Sequence, residues 1–261
     1  MSLDIGANGL SVAYGEHTVI NDLSVTFPEG QITTIIGPNG CGKSTLLKAV
    51  SRLTPSTSGD IFLGGHDIGR MKRKELAKRI AVLPQTPTAP AGLIVADLVA
   101  RGRHPHQSWV TQWSATDEAE VIEALKLTGS TALAERSIDE LSGGQRQRVW
   151  ISMVLAQQTE ILFLDEPTTY LDLSHSIDVL NLVRQLKTTL GRTIVMVLHD
   201  LNLAIRYSDN LIAMKDGEIR AQGAPERIMT SELLKDVFAL DAIVVEDPAA
   251  GGPLVVPLAP E

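Results

Sequence analysis

The chain has 261 residues, of which 44% are apolar and 21% charged, a composition typical of a globular protein with a buried core. Its single cysteine, Cys41, excludes an intramolecular disulfide framework, and its formal net charge of −8 argues against a nucleic-acid partner. The first residues lack the basic start of a secretory signal, and no run approaches the ~18 apolar residues of a membrane span. We therefore expect a cytoplasmic protein.

An antiparallel β portion is expected near the N-terminus, at residues 10 to 27, and again around residues 60 to 63. Tyr14 ends the sequence Leu-Ser-Val-Ala-Tyr within this portion. A tyrosine at a strand end is ordinarily a surface or core residue.

A phosphate-binding loop is predicted between a β-branched apolar run at residues 32 to 36 and a helical pattern from residue 44. Glycines let the backbone curl so that N–H groups turn toward a phosphate chain, and the following helix points its positive end at the anion. Lys43 would reach the β- and γ-phosphates, and Ser44 would bind Mg²⁺. Cys41 is either a thiol whose alkylation would block the site or a permitted filler. The residues of the loop are Gly37, Pro38, Asn39, Gly40, Cys41, Gly42, Lys43, Ser44 and Thr45.

The middle of the chain is predicted to be mainly helical. Gln85 ends a strand-like run that begins at residue 80. Residues 115 to 127 carry apolar side chains at helical spacing. A second helix is predicted to open at a segment where a serine fits an N-cap and two glycines allow close backbone approach. That segment is Ser142, Gly143, Gly144 and Gln145.

Two carboxylates, Asp165 and Glu166, close an apolar run from residue 161 that is typical of a buried parallel strand. Ligands of open α/β sheets bind at such strand ends. Asp165 would hold Mg²⁺, and Glu166 would polarise the water that attacks the γ-phosphate. His199 follows another apolar run, at residues 194 to 198. Near the end, β-rich runs at residues 242 to 245 and 254 to 258 predict a hairpin.

Taken in order, these segments resemble the ATP-binding cassette (ABC) ATPases along essentially the whole chain. The resemblance implies an α/β fold with a P-loop NTPase (RecA-like) core, an antiparallel β subdomain and an inserted α-helical subdomain. The core would comprise residues 1 to 86 and 158 to 261, and the helical subdomain residues 87 to 157, within a single nucleotide-binding domain. The matching motifs are Tyr14, residues 37 to 45, Gln85, residues 141 to 145, Asp165 with Glu166, Leu171-Asp172, and His199.

The resemblance also implies that the chain hydrolyses ATP with Mg²⁺. Tyr14 would stack on adenine, Gln85 would sense Mg²⁺ and the attacking water, and His199 would bond the γ-phosphate. The signature segment, residues 142 to 145, would act in trans, so that two copies pack head to tail with each ATP between them. Asp172 would lie along the same seam.

A domain without membrane spans can energise transport only through separate membrane subunits, here two permeases fed by a substrate-binding protein. A finer resemblance, at residues 101 to 106, 168 to 172 and 199 to 204, is to the ATPases of iron–siderophore importers. Cobalamin or haem import, an exporter's separate ATPase subunit and a soluble ABC ATPase are the alternatives. Transport would place the chain on the inner face of the cell membrane.

The segment Arg-Gly-Arg-His-Pro-His at residues 101 to 106 has three interpretations. It would line a groove that receives a coupling helix of the permease, with Arg103 and His106 on a polar docking surface. The alternatives are a solvated turn and a His-x-His metal site.

Overall fold

Strands and helices are interspersed along the chain, as in other proteins of mixed α and β structure. The computed structural model describes residues 3–107 and 113–259. In chain order the strands are β1 (Ile5–Tyr14), β2 (His17–Phe27), β3 (Ile32–Ile36), β4 (Ser58–Leu63), β5 (His66–Asp67), β6 (Ile80–Leu83), β7 (Ile161–Asp165), β8 (Thr193–Val197), β9 (Asn210–Lys215), β10 (Glu218–Gly223), β11 (Ala242–Glu246) and β12 (Pro253–Pro257). The helices are α1 (Lys43–Val50), α2 (Arg73–Leu76), α3 (Val95–Ala100), α4 (Ala115–Leu127), α5 (Gly143–Ala156), α6 (Leu173–Leu190), α7 (Leu201–Tyr207), α8 (Pro225–Ile228) and α9 (Ser231–Phe238).

The described residues divide into two units, each of which is compact in its own right. The first unit contains the residues up to Arg70 and those from Arg192 onward, and the second is Met71–Gly191. The helical insertion predicted at residues 87 to 157 falls within the second unit, and its limits stay a prediction. Residues 108 to 112 of that insertion lie outside the described part of the chain.

The first unit contains an antiparallel sheet of β2, β1, β4 and β5, in that order. It also contains parallel pairings of β3 with β8 and with β9, and β10 pairs antiparallel with β9. Every residue of β3 and β8 is buried, which explains why apolar and β-branched residues fill these strands without alternation. The predicted β portion begins at Ile5 rather than Leu10, because Ile5 to Ala7 are all buried and give no alternating signal.

A terminal hairpin of β11 and β12, as predicted, is attached to α7 in the first unit. The carboxamide of Asn202 donates to the carbonyl of Val255 (3.2 Å) and accepts from its N–H (2.9 Å). Arg206, one turn further along α7, donates to the Asp247 carboxylate at 2.5 Å. Hydrogen bonds therefore hold the hairpin against α7, the helix that begins directly after His199 and Asp200.

In the second unit, β6 and β7 form a parallel pair, and α3, α4 and α5 pack against one another. The predicted helix at residues 115 to 127 is confirmed as α4, with Ser114 as a capping-box N-cap. Helix α6 is capped at its start by Asp172 and at its end by Gly191, which has the left-handed conformation. None of the helices in residues 3–107 and 113–259 combines the length and the hydrophobicity that a membrane-spanning segment requires.

Candidate nucleotide-binding and hydrolysis site

The phosphate loop joins β3 to α1 in the first unit, as predicted. Gly37 has a φ of 155°, and a Cβ there would lie 2.3 Å from the carbonyl oxygen of Met214, so only glycine fits this close approach. The carbonyl of Cys41 accepts from the N–H of Gly217 at 3.0 Å, which fixes the loop to the turn between β9 and β10. Strand end, turn and helix start therefore hold the loop in one shape.

Lys43 is the first residue of α1 and is only 6% exposed. Its ammonium donates to the carbonyls of Gly37 and Pro38, both at 2.9 Å. No carboxylate in the described part of the chain forms an ion pair with it, although a buried charge normally has an opposite partner. A buried cation held only by neutral carbonyls indicates a site for an anion, and the loop around it has the shape that phosphate groups require.

The remaining loop residues differ in exposure. Asn39 and Gly40 are exposed, Ser44 and Thr45 are half-buried, and Cys41 is buried. Burial raises the pKa of the Cys41 thiol, and the thiolate is the reactive form. The structure therefore favours the filler interpretation of Cys41 over the alkylation hypothesis.

A second cluster lies at the end of β7 in the second unit. Asp165 ends the strand at 1% exposure, and Glu166 follows it in the left-handed backbone region with a φ of 54°. Gln85 donates its amide to the Glu166 carboxylate at 2.6 Å, and the Thr169 hydroxyl donates to the same oxygen, Oε2, at 2.9 Å. The structure thus brings Gln85 and Glu166 together, and two hydrogen bonds orient the carboxylate.

Thr169 was not predicted from the sequence to have a role, because hydroxyl residues are common in turns. Its position three residues after Glu166 is the sequence feature that indicates the contact, since a turn of that length returns the Thr169 side chain to the carboxylate. The backbone N–H of Thr169 does bond the carbonyl of Glu166, at 3.2 Å.

The residues predicted to bind Mg²⁺ suit that ion in their chemistry. Mg²⁺ takes oxygen ligands, and Ser44 and Asp165 offer a hydroxyl and a carboxylate. Gln85 gives its amide N–H to Glu166, which leaves its carboxamide oxygen as the atom that could bind the metal. Ser44 lies in the first unit and Asp165 and Gln85 lie in the second, and their role toward Mg²⁺ stays a prediction.

The signature segment opens α5, as predicted. Ser142 is the N-cap: its hydroxyl oxygen accepts from the N–H of Gln145 at 3.4 Å, and its own N–H donates to the Gln145 side chain at 3.1 Å. Because the oxygen is an acceptor here, the hydroxyl proton of Ser142 remains to be donated. Ser142 and Gly143 are exposed, so the positive end of α5 faces outward from the second unit.

Gly144 is buried, and its predicted role toward the ATP of a second copy stays a prediction. A Cβ on Gly144 would lie 2.5 Å from Cδ2 of His175, so the backbone of α5 rests directly on this imidazole. His175 also donates from Nδ1 to the carboxylate of Asp172 at 2.8 Å. The pKa of Asp172 is lowered, first by the backbone N–H of His175 and then by the Ser174 hydroxyl. Asp172 is thus an exposed helix cap in contact with the signature region through one histidine.

Tyr14 and His199 both lie in the first unit. Tyr14 ends β1 with 51% of its surface exposed, as a residue that stacks on a base must be. His199 is exposed and comes directly before Asp200, whose side chain caps α7 by accepting from the N–H of Leu203 at 2.8 Å. Their roles toward the nucleotide stay predictions.

The docking interpretation of Arg103 is wrong. Arg103 is 3% exposed, and its guanidinium donates to Asp117 at 2.8 Å and to the carbonyl of Ala156 at 2.7 Å. His106 is half-buried and bonds the carbonyl of Gln157 at 2.8 Å. Arg103 therefore forms a buried clamp between α4 and the end of α5, because its partners are supplied from elsewhere in the chain, whereas Arg101 and His104 of the same segment are exposed.

The family model of the ABC transporters matches residues 20–169 of this chain. Three known proteins are similar to the chain over nearly its whole length. The ferric enterobactin transport ATP-binding protein FepC of Escherichia coli (strain K12) is 52% identical over 95% of this chain and 92% of its own length. The iron(3+)-hydroxamate import ATP-binding protein FhuC of Bacillus subtilis (strain 168) is 50% identical over 94% of this chain and 91% of its own length. A solved ABC transporter of the metal-chelate type, in an inward-facing conformation, aligns with a TM-score of 0.86 at 27% identity, over 99% and 98% of the two chains. Together with the phosphate loop and its buried lysine, this similarity shows that the chain belongs to the ABC transporter family, as an ATP-binding and ATP-hydrolysing member.

Proposed function

We propose that this chain powers the import of ferric siderophores as a homodimer that docks on two permease subunits at the inner face of the cell membrane. The observation that supports ATP binding most directly is Lys43, a buried cation in a loop shaped for phosphate, which has no carboxylate partner among residues 3–107 and 113–259. The cargo is supported by FepC and FhuC, whose names describe ferric enterobactin and iron(3+)-hydroxamate transport.

In the proposed reaction, Lys43 and the loop N–H groups hold the phosphates, Tyr14 stacks on adenine and His199 bonds the γ-phosphate. Glu166 accepts a proton from the attacking water, and the hydrogen bonds from Gln85 and Thr169 support its orientation for that task. Mg²⁺, when bound by Ser44, Asp165 and Gln85, would neutralise charge that develops on the phosphate oxygens.

Glu166 should be separable from nucleotide binding, since the phosphate loop supplies most of the affinity. We expect Glu166→Gln to keep ATP binding and to trap an ATP-dependent dimer, detected by sizing chromatography with ATP and Mg²⁺. Glu123→Gln, an exposed change on α4, is the control. Hydrolysis by the Glu166 variant at the parental rate would refute its role.

The proposed head-to-tail dimer is supported by the outward-facing start of α5, whose N–H groups and Ser142 hydroxyl suit a phosphate of a second copy. Lys43→Ala and Ser142→Arg subunits should each fail to hydrolyse ATP alone. A mixture of the two forms heterodimers in which one site has an intact loop and an intact signature, so activity should reappear. An inactive mixture that still forms heterodimers would contradict the arrangement in trans.

The cargo is tested in cells that lack their own siderophore-import ATPases and carry this chain with its permease and binding protein. We expect iron-limited growth on a ferric siderophore, lost in the Glu166→Gln variant. Growth on hemin or cobalamin uptake instead would transfer the proposal to the haem or cobalamin alternative. ATP hydrolysis without any effect on uptake would favour a soluble ABC ATPase.

A further inference from the structure

His175, near the start of α6, contacts two segments that the head-to-tail dimer would present to a partner. On one side it reaches Asp172, and on the other it supports Gly144. Both contacts lie within the second unit, and the imidazole is partly exposed, with 43% of its side chain accessible.

All the hydrogen bonds to the Asp172 carboxylate, among the residues that the structure describes, are made to one of its two oxygens. Oδ1 accepts three hydrogen bonds, from the N–H and Nδ1 of His175 at 2.9 and 2.8 Å and from the Ser174 hydroxyl at 2.9 Å. Oδ2 has no donor among the residues that the structure describes. The three donors therefore fix the carboxylate so that Oδ2 remains to accept a hydrogen bond from outside the unit.

The contact with Gly144 is made by carbon atoms. An added Cβ would lie 2.5 Å from Cδ2 and 2.9 Å from Cγ of His175, so the ring and the helix backbone are in van der Waals contact with no space between them. Any shift of the first turn of α5 toward α6 is therefore blocked by the ring.

We propose that His175 is a positioning residue that couples the Asp172 carboxylate to the first turn of α5, so that both approach the partner subunit and its ATP as one rigid surface. The proposal rests on the head-to-tail dimer proposed above. His175 touches no phosphate itself, and its effect on hydrolysis is exerted through Asp172 and Gly144.

Two substitutions separate the two contacts. His175→Phe keeps a ring against Gly144 but removes the donor to Asp172, whereas His175→Asn keeps a side-chain N–H near the position of Nδ1 but removes most of the ring. His175→Ala removes both. We expect His175→Ala to lower kcat on the order of 100-fold, the loss typical of a small misplacement, with ATP affinity of the isolated subunit unchanged.

The Phe and Asn variants should each retain part of the activity, and in the Glu166→Gln background each should weaken the ATP-dependent dimer. The matched control is His66→Ala, an exposed histidine on β5, which should behave like the parent. A His175→Ala variant with parental kcat would overturn the proposal, as would a loss of ATP affinity equal to the loss of kcat.

Thermal unfolding tests the contact with Gly144 directly. Gly144→Ala should lower Tm because its new methyl group meets the imidazole, and adding His175→Ala should recover much of the loss. If Gly144→Ala leaves Tm unchanged, or the second change recovers nothing, the contact does not couple the two segments.

Failure of this proposal is distinguishable from failure of the proposed function. In the same preparations Lys43→Ala must lose ATP binding, and the Lys43→Ala and Ser142→Arg mixture must recover hydrolysis. If those results hold while the His175 variants stay fully active, only the coupling role is refuted. If the mixture fails, the head-to-tail dimer itself is refuted.

Discussion

Lys43 and Arg103 are both buried cations, yet they lie in opposite electrostatic settings. Arg103 has a carboxylate, Asp117, at 2.8 Å and a carbonyl at 2.7 Å, whereas Lys43 has two carbonyls and no ion-pair partner in the described ranges. The charge of a paired cation is neutralised within the fold, whereas an unpaired buried cation is a binding site for an anion. Burial alone therefore does not distinguish a charged residue that stabilises the fold from one that binds a ligand. The distinction depends on whether a side chain of opposite charge lies beside the buried one.

The largest expected effect is on folding and comes from Arg103→Glu. It places a second carboxylate beside buried Asp117 and should cost at least the ~3–5 kcal/mol typical of breaking a buried ion pair. Urea denaturation is the measurement, and Arg101→Glu, an exposed change two residues earlier, is the control with little expected loss. Equal stability of the two variants would mean that Arg103 does not form a buried ion pair that stabilises the fold.

Lys43→Met should show the opposite pattern. ATP affinity should fall about 100-fold, since charged hydrogen bonds to phosphate are lost, while the free energy of unfolding stays nearly unchanged or rises. Titration with a fluorescent ATP analogue and urea denaturation give the two values, with Lys126→Met on α4 as the control. A large loss of stability would assign Lys43 the same structural role as Arg103.

Thr169→Val sharpens the comparison by removing one hydrogen bond without changing any charge. Because Gln85 still donates to Glu166, we expect kcat to fall only about tenfold, with KM for ATP unchanged. Thr169→Ser should restore most of the rate. A parental rate for Thr169→Val would show that the Thr169 hydrogen bond does not orient the carboxylate.

The smallest effect is a pH dependence of the Arg103 clamp. Hydrogen bonds from Ser114, followed by that from Arg103, hold the pKa of Asp117 below its usual value. The stabilisation is therefore complete above the unfolded pKa of about 4 and is lost as the pH falls through the lower folded pKa. The stability gap between the parent and Asp117→Asn, measured by urea denaturation, should shrink below about pH 4. A gap that is constant down to pH 2 would contradict this.

Local sequence predicted the features that depend on short spacings. The phosphate loop, the Ser142 cap, the strand before Asp165 and the terminal hairpin all depend on neighbours within a few residues. Arg103 was misinterpreted because its partner Asp117 lies in another helix, and an arginine between histidines and a proline resembles a surface segment. The packing contact between Gly144 and His175 was also not predicted, since no local pattern shows that the imidazole lies against this glycine.

The hydrogen bonds between Asn202 and the terminal hairpin protect one edge of that hairpin from pairing with another chain. In an antiparallel strand, alternate residues turn both backbone polar groups to the same edge, so Pro253, Val255 and Pro257 share the edge of β12 that faces away from β11. The two prolines have no N–H to offer, and the N–H of Val255 is taken by Asn202. That edge therefore presents no donor row to an added strand, and the exposed apolar side chains of Ile243 and Val256 cannot be extended into an intermolecular sheet through β12.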